Sequence, residues 1–317
     1  MKTRIFFSAD IHGSTLVWKK WIKASEVYQA NVLILSGDLT GKVLVPIIEH
    51  ENGTWSAKYF GRRWVIESKE GLREFENRLE DSGVYYIEVD KSELEEMKND
   101  QNKVYEMMNK KIEERLREWL ELLANEVTKR DFMAIVYPGN DDELFIDNIL
   151  KEYTRYGIIF PERGFTEIGK HEAIFSPYVN PTPWNTPREM EEDRLMKYLE
   201  ELISSINNVG NSLFVIHPPP YGTQLDLAPQ LTADLKPVVI GGSVQYQHVG
   251  SLAVRRMIEK NQPLVGLHGH IHESSGSEMI GKTLTVNPGS EYSEGILRGF
   301  IVDLDTTSIE KYWRVEG

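Results

Sequence analysis

Cysteine is absent from this chain of 317 residues. Disulfides are therefore excluded, and any metal site must use nitrogen and oxygen ligands alone. Long apolar runs are absent too, and no window approaches the ~20 apolar residues of a membrane span. The opening stretch, MKTRIFFSADIHG, has an apolar run too short for a secretory signal and passes directly into polar residues. A soluble cytoplasmic protein with no membrane partner is expected. Positive charge is scarce, since 36 Lys and Arg stand against 49 Asp and Glu for a formal net charge of −13. Phosphate neutralisation along nucleic acid needs clustered Lys and Arg, so nucleic acid is not an expected partner. A phosphate-bearing substrate stays open, because bound metal ions would supply local positive charge.

Hydrophobic residues make up 40% of the chain, enough for a sizeable core in one elaborated domain or two. Histidines number only eight, yet three fall in GLHGHIHES, at His268, His270 and His272. A strand sends alternate side chains to one face, so His270 and His272 would point together while Ile271 faces the core. Two converging imidazoles suggest a metal. The bland alternative is a polar strand end whose histidines face water.

The remainder of the sequence bears on that choice. RIFFS, NVLILSGD, FMAIVYPGN, HEAIFSP, SLFVIHPPP, PLVGLHGHIH, TLTVNPGS, GFIVDLD and IEKYWRV read as strands. Residues 15–29 read as a helix with Leu16, Ile22 and Val27 among its apolar positions. Continuous apolar runs separated by helical patterns indicate α/β layers with both sheet faces covered. Asp10, Asp38, Asn140, His217 and His270 each follow the end of an apolar strand, where ligand sites of α/β sheets lie. Turn chemistry explains any one of them but poorly explains all five.

The segment from about 50 to 130 interrupts the pattern. TWSAKYFGRRWVIES reads as a β-hairpin, 71–82 as a short helix ended by Gly83, and VYYIEV as a strand. Residues 92–129 read as one long amphipathic helix, with a stripe from Leu94 and Met97 to Leu123 and Val127. Such a stripe is expected to pack on another helix of the insertion or on a second copy, giving a homo-oligomer. Arg62 and Arg63 would bind phosphate if the hairpin folded over the site; otherwise they sit on an exposed hairpin.

SADIHG sets Asp10 and His12 two apart, SGDLTG sets Asp38 beside a glycine, and PGND supplies Asn140. With His217, His270 and His272 these make seven nitrogen or oxygen ligands, and one shared carboxylate divides them into two four-ligand sites. A shared carboxylate can hold two metals roughly 3.5–4 Å apart, polarising a phosphoryl oxygen and lowering the pKa of a bridging water.

The ordered set Asp-x-His, Gly-Asp, Gly-Asn, His, Gly-His-x-His resembles the calcineurin-like metallophosphoesterases, from about residue 3 to 304 apart from the inserted segment. The resemblance implies a single domain over 1–317: a four-layer αββα sandwich of two mixed sheets, with a largely helical insertion. It implies a first metal on Asp10, His12, Asp38 and His272, and a second on Asp38, Asn140, His217 and His270. His268 has no ligand role in that pattern. Many members have a histidine after the asparagine that helps the leaving group depart; here the residue is Asp141. Beside two metal ions its pKa should fall, so it reads as an N-cap or ligand-orienting residue before a general acid. His248 is the alternative proton donor, and Tyr221 and Asp226, on the stiff loop after His217, are candidate substrate contacts. Asn287 is a candidate to support the ligands.

The expected activity is hydrolysis of a phosphodiester or nucleotide-type ester by metal-bridged hydroxide. No covalent intermediate is expected, because no activated nucleophile motif is visible. The cofactors would be two divalent ions, Mn²⁺ first among Mn, Fe, Zn and Co. A phosphomonoesterase or protein phosphatase is the alternative, and a non-catalytic metal-binding scaffold is the rival of another class.

Overall fold

The computed structural model describes residues 2–317. Nine apolar runs become strands of two six-stranded mixed sheets. The first has the order Ile309–Glu316, Arg298–Leu304, Thr3–Ser8, Val32–Ser36, Met133–Tyr137, Ile158–Ile159. Its last four strands are parallel, and Arg298–Leu304 runs antiparallel to both of its neighbours. The second has the order Gly276–Ile280, Thr283–Asn287, Val265–Leu267, Leu213–Ile216, His171–Ser176, Phe165–Ile168. Its four central strands are parallel and both edges antiparallel.

Side-chain alternation sets the layering. Ala173, Phe175, Leu213 and Val215 join the large core that also holds Ile5, Phe7, Leu33 and Ile135 of the first sheet. Their neighbours Ile174, Phe214 and Ile216 turn the other way, into a separate cluster with helices α6 (Glu192–Ile203) and α7 (Leu252–Asn261). The first sheet is covered on its outer side by α1 (Thr15–Val27), α4 (Gln101–Lys129) and α5 (Ile146–Tyr153). The result is an αββα sandwich.

Ser14 starts α1 by accepting the Val17 N–H, and Val17, Trp18, Trp21 and Ile22 form its buried face. Val27, expected on that face, is 67% exposed at the last turn. The inserted segment has its own four-stranded sheet, ordered Arg62–Ile66, Trp55–Tyr59, Leu44–Glu49, Tyr85–Val89. Helix α2 (Lys69–Asp81) packs Leu72, Phe75 and Leu79 on it. The hairpin turns at Phe60 and Gly61, both at positive φ, which matches the twist of the flanking strands. The departure from the main pattern thus begins at Leu44 rather than near 50.

The long helix expected over 92–129 is two helices, α3 (Lys91–Asn99) and α4. Asp100 leaves helical geometry at φ −130° and ψ 96°, and its carboxylate accepts the Asn102 and Lys103 N–H groups. A short polar side chain competing for local backbone donors ends one helix and starts the next. The stripe's destination also differs from expectation. Ile112, Leu116, Trp119, Leu120 and Leu123 are buried in the main core. Trp119 stacks on Trp18 at 5.0 Å, and each indole N–H donates across the α1–α4 contact, to Trp119 O and to Thr15 Oγ1. The stripe is covered by the body of the same chain, so covering it requires neither another insertion helix nor a second copy. Among the described residues, no helix is long and apolar enough to cross a membrane.

Candidate metal centre

The candidate ligands gather at one end of both sheets. Asp10, His12, Asp38 and Asn140 follow strands of the first sheet; His217, His270 and His272 follow strands of the second. The ligand atoms of Asp10, His12 and His272 lie within 4.8 Å of one another, and those of Asp38, His217 and His270 do the same. Asp38 Oδ2 joins the groups, at 3.6 Å from His12 Nε2 and 3.6 Å from His217 Nε2. Asp10 Oδ1 is 3.7 Å from His217 Nε2. Asn140 donates through Nδ2 to Thr186 Oγ1, which leaves its Oδ1 buried without a partner.

The backbone is bent to bring these groups together. Asp10, His12, Asp38 and His270 have φ of 57°, 40°, 22° and 68°, in the left-handed region that non-glycine residues avoid. Such strain, of order 1–3 kcal/mol per residue, persists where surrounding structure over-determines it, and it concentrates at functional sites. Two glycines permit the close approach. A Cβ at Gly37 would lie 2.5 Å from His217 Nδ1, and one at Gly139 would lie 2.2 Å from Asp38 Oδ1.

This geometry also changes the account of the histidine triplet. The strand ends at Leu267, so alternation does not govern the three rings. His270 and His272 instead leave a bent loop into different clusters, with Ile271 buried between them. His268 is fully buried behind them, its Nδ1 2.7 Å from Ile216 O, and burial pushes its pKa down to about 4.

Charges in the site oppose one another. Burial and the neighbouring Asp38 carboxylate push the Asp10 carboxyl above its usual range. Burial works against the Asp38 charge as well, but His217, His12 and the Asp141 N–H outweigh it and hold that carboxyl low. Burial drives His270 and His272 down to about 3, so both imidazoles are neutral and able to ligate. Asp10 Oδ1, Asn140 Oδ1 and both ring nitrogens of His217 are buried without hydrogen-bond partners. Buried polar atoms without partners are rare and costly. Their convergence on two carboxylates and neutral imidazoles fits a cation.

The residue after Asn140 behaves differently from its neighbour. Asp141 donates its N–H to Asp38 Oδ1 at 2.8 Å, while its carboxylate is 3.6 Å from Lys42 Nζ. Burial, then the Asp38 charge, raise its pKa. The stronger organiser is Asp142, which sequence reasoning missed. Fully buried, it accepts from Leu39 N, Thr40 N, Thr40 Oγ1 and Gly139 N at 2.7–2.9 Å. It thereby clamps the Asp38 turn to the Asn140 turn. The doublet Asp141–Asp142 was the available signal, but residue type alone cannot say which member points inward.

Asp226 does not offer a face to substrate, contrary to expectation. It is fully buried and accepts from Gly222 N, Thr223 N, Gly250 N and His248 Nδ1. It is the staple of the loop that follows His217. His248 is exposed, with Nδ1 held by Asp226, and its ring is 5.7 Å from the exposed Tyr221. Arg62 and Arg63 are exposed on the hairpin. Arg63 lines a separate cleft of about 690 Å³ with His50 and Asp90, which contains none of the candidate ligands. Asn287 Nδ2 donates to Ile271 O, between two candidate ligands, and Ser290 Oγ donates to Asp10 O.

No protein-family model matches the chain. The uncharacterized protein MJ1162 of Methanocaldococcus jannaschii is 36% identical over 172 residues, 53% of this chain and 70% of that protein. One solved chain superposes with a TM-score of 0.58 at 19% identity, over 99% of both chains. The crystal structure of TT1561 from Thermus thermophilus superposes with a TM-score of 0.53 at 14% identity, again over 99% of both. At these identities the superpositions speak to the fold alone.

Proposed function

We propose a function from the site itself, because the chain belongs to the family of MJ1162, a protein described only as uncharacterized. The reading is a dinuclear, metal-dependent phosphoric ester hydrolase of the calcineurin-like type, acting on a phosphodiester or nucleotide-type ester. The observation that carries it is the position of Asp38 Oδ2, 3.6 Å from an imidazole of each cluster. One carboxylate oxygen between two ligand sets is what a shared bridge requires.

Asp10, His12, Asp38 and His272 would hold one ion; Asp38, Asn140, His217 and His270 would hold the other. Two such ions polarise a phosphoryl oxygen and lower the pKa of an associated water. An all-nitrogen-and-oxygen ligand set suits Mn²⁺, our first choice. The chain's own residues do the positioning. Asp142 locks the turns that carry Asp38 and Asn140. Thr186 fixes the amide of Asn140 so that oxygen, not nitrogen, is left free. Ser290 ties the Asp10 loop to the segment beyond Asn287.

The test is elemental analysis followed by a panel of mono- and diesters assayed with each metal. Two ions per chain with diester turnover exceeding monoester turnover support the reading. Preferred turnover of monoesters would favour the phosphomonoesterase alternative, and full metal loading with no ester turnover would favour a scaffold.

A further inference from the structure

Apart from Lys42 Nζ, which lies 3.6 Å from both Asp141 and Glu143, the side-chain donors at the candidate centre are largely committed. Asp10, Asp38 and Asp141 offer acceptors. The Asn140 Nδ2 is committed to Thr186, the Asp141 N–H to Asp38 and the His248 Nδ1 to Asp226. No arginine side chain is among the groups just described, and the two hairpin arginines are exposed, with Arg63 lining another cleft. A phosphoryl group presents oxygens that accept, so it needs donors beyond any bound ions.

Tyr292 answers that need. Its ring packs against both imidazoles of one cluster, 4.8 Å from His12 and edge-on to His272 at 6.1 Å and 88°. The side chain is half-buried, and among the described residues its hydroxyl makes no hydrogen bond. Its position is fixed from three directions. Ser290, two residues earlier, bonds Asp10 O at 2.6 Å. Glu291 is held by Arg298 at 2.7 Å. Gly83 of the insertion abuts the ring so closely that a Cβ there would lie 3.2 Å from Tyr292 Cε2. A phenol ring thus sits on two candidate ligands with its hydroxyl uncommitted.

We propose that the Tyr292 hydroxyl donates a hydrogen bond to a phosphoryl oxygen of the bound phosphoric ester. The inference rests on the phosphoric ester hydrolase reading. It adds a substrate contact from the segment after NPGS, pressed into place by the inserted domain segment. Because the bond goes to a phosphoryl oxygen and not to the leaving oxygen, it acts alike on esters with good and poor leaving groups.

The probe is inorganic phosphate, titrated calorimetrically into the metal-loaded protein and into Tyr292→Phe, with metal per chain measured on both. Phe keeps the ring against His12 and His272 and removes only the hydroxyl. The expected result is a phosphate affinity lower by about tenfold, the worth of a hydrogen bond to a charged group, at unchanged metal content. Turnover of nitrophenyl and alkyl esters should fall by one common factor. Equal phosphate affinity in the two proteins would overturn the contact while leaving the hydrolase reading intact. Loss of metal in the variant would overturn it too, since Tyr292 would then serve only to seat the two histidines. A metal-loaded natural protein that binds no phosphate would remove the hydrolase reading itself, and the contact with it.

Discussion

The Nε2 atoms of His12 and His272, 260 residues apart in sequence, face one another at 3.1 Å. Both rings are largely buried, and burial keeps His272 in its neutral form, with its pKa pushed down to about 3. Two imidazole nitrogens this close share either a proton or a cation. The adjacent Asp10 carboxylate and the Asp38 oxygen 3.6 Å from His12 favour the cation. If Asp38 bridges, its removal and the removal of His272 should differ. His272→Ala should leave one ion per chain; Asp38→Asn should weaken both. Hydrolysis should fall more than about 100-fold in each, through loss of the paired ions. Elemental analysis and circular dichroism together check this, and two tightly held ions in Asp38→Asn would remove the bridge.

Asp142 has no place among the candidate ligands, yet four donors converge on it. Asp142→Asn turns an NH₂ group toward donors and orphans at least one of them, which costs about 1–3 kcal/mol. Because the clamped turns carry Asp38 and Asn140, metal affinity should also fall about 10–100-fold, as for residues that orient ligands. Thermal unfolding and a metal titration measure the two effects. A variant of normal stability and normal metal affinity would show that the clamp does not set the ligand turns.

Much of this was legible in the sequence, for identifiable reasons. Buried parallel strands read as unbroken apolar runs, and the polar residue just past each run marks the sheet edge, as at Asp10 and Asp38. What escaped depends on features that residue type does not encode. His270 sits at φ 68° beyond the end of its strand, so the alternation expected to pair it with His272 does not apply. Tyr292 lies in no motif and reaches the centre only because Ser290 and Gly83 hold its turn there. The break at Asp100 was signalled by the run Asn99-Asp100, but the apolar spacing across it continues and masks the stop.

The insertion contributes to the stability of the whole chain, because Trp119 completes the cover over α1. Trp119→Ala removes a stacked indole and its bond to Thr15, and should cost about 3–5 kcal/mol, as for large-to-small changes in cores. The unfolding transition should move down as one cooperative step. Separate early melting of the insertion, with the remaining transition unmoved, would contradict the shared core.

Acid stability should respond at a site away from the candidate metal ligands. The Arg4 guanidinium donates twice to Asp303, joining the first strand to its antiparallel neighbour, and this bond holds the Asp303 carboxyl below its usual value. A depressed carboxyl contributes stability above its unfolded pKa of about 3.9, and loses it as pH falls through the lower folded value. Asp303→Asn should therefore be less stable than the natural protein at pH 7, with the gap closing below about pH 4. A gap that persists unchanged to pH 2 would assign the loss to packing and not to charge.

Asp141 is engaged on both sides: its N–H bonds Asp38, and its carboxylate lies 3.6 Å from Lys42. His248 is tied through Nδ1 to Asp226 and exposed near Tyr221. Neither arrangement supplies a proton donor aimed at a departing alkoxide. Positioned acid catalysis contributes roughly 10²–10⁴-fold where it operates. Nitrophenyl esters, whose leaving groups need little protonation, should therefore be hydrolysed far faster than alkyl esters. Their rates should depend steeply on leaving-group pKa. Asp141→His should flatten that dependence by speeding the alkyl esters more than the nitrophenyl esters, since an imidazole there can donate at neutral pH. The substitution leaves the N–H to Asp38 in place, so metal content should not change, and its measurement separates a new acid from a damaged site. A dependence that is already flat in the natural protein would mean that another donor operates. His248→Ala is then the deciding variant: a slope that steepens on its removal makes His248 the acid. A slope that stays flat leaves the proton to solvent or to the substrate itself.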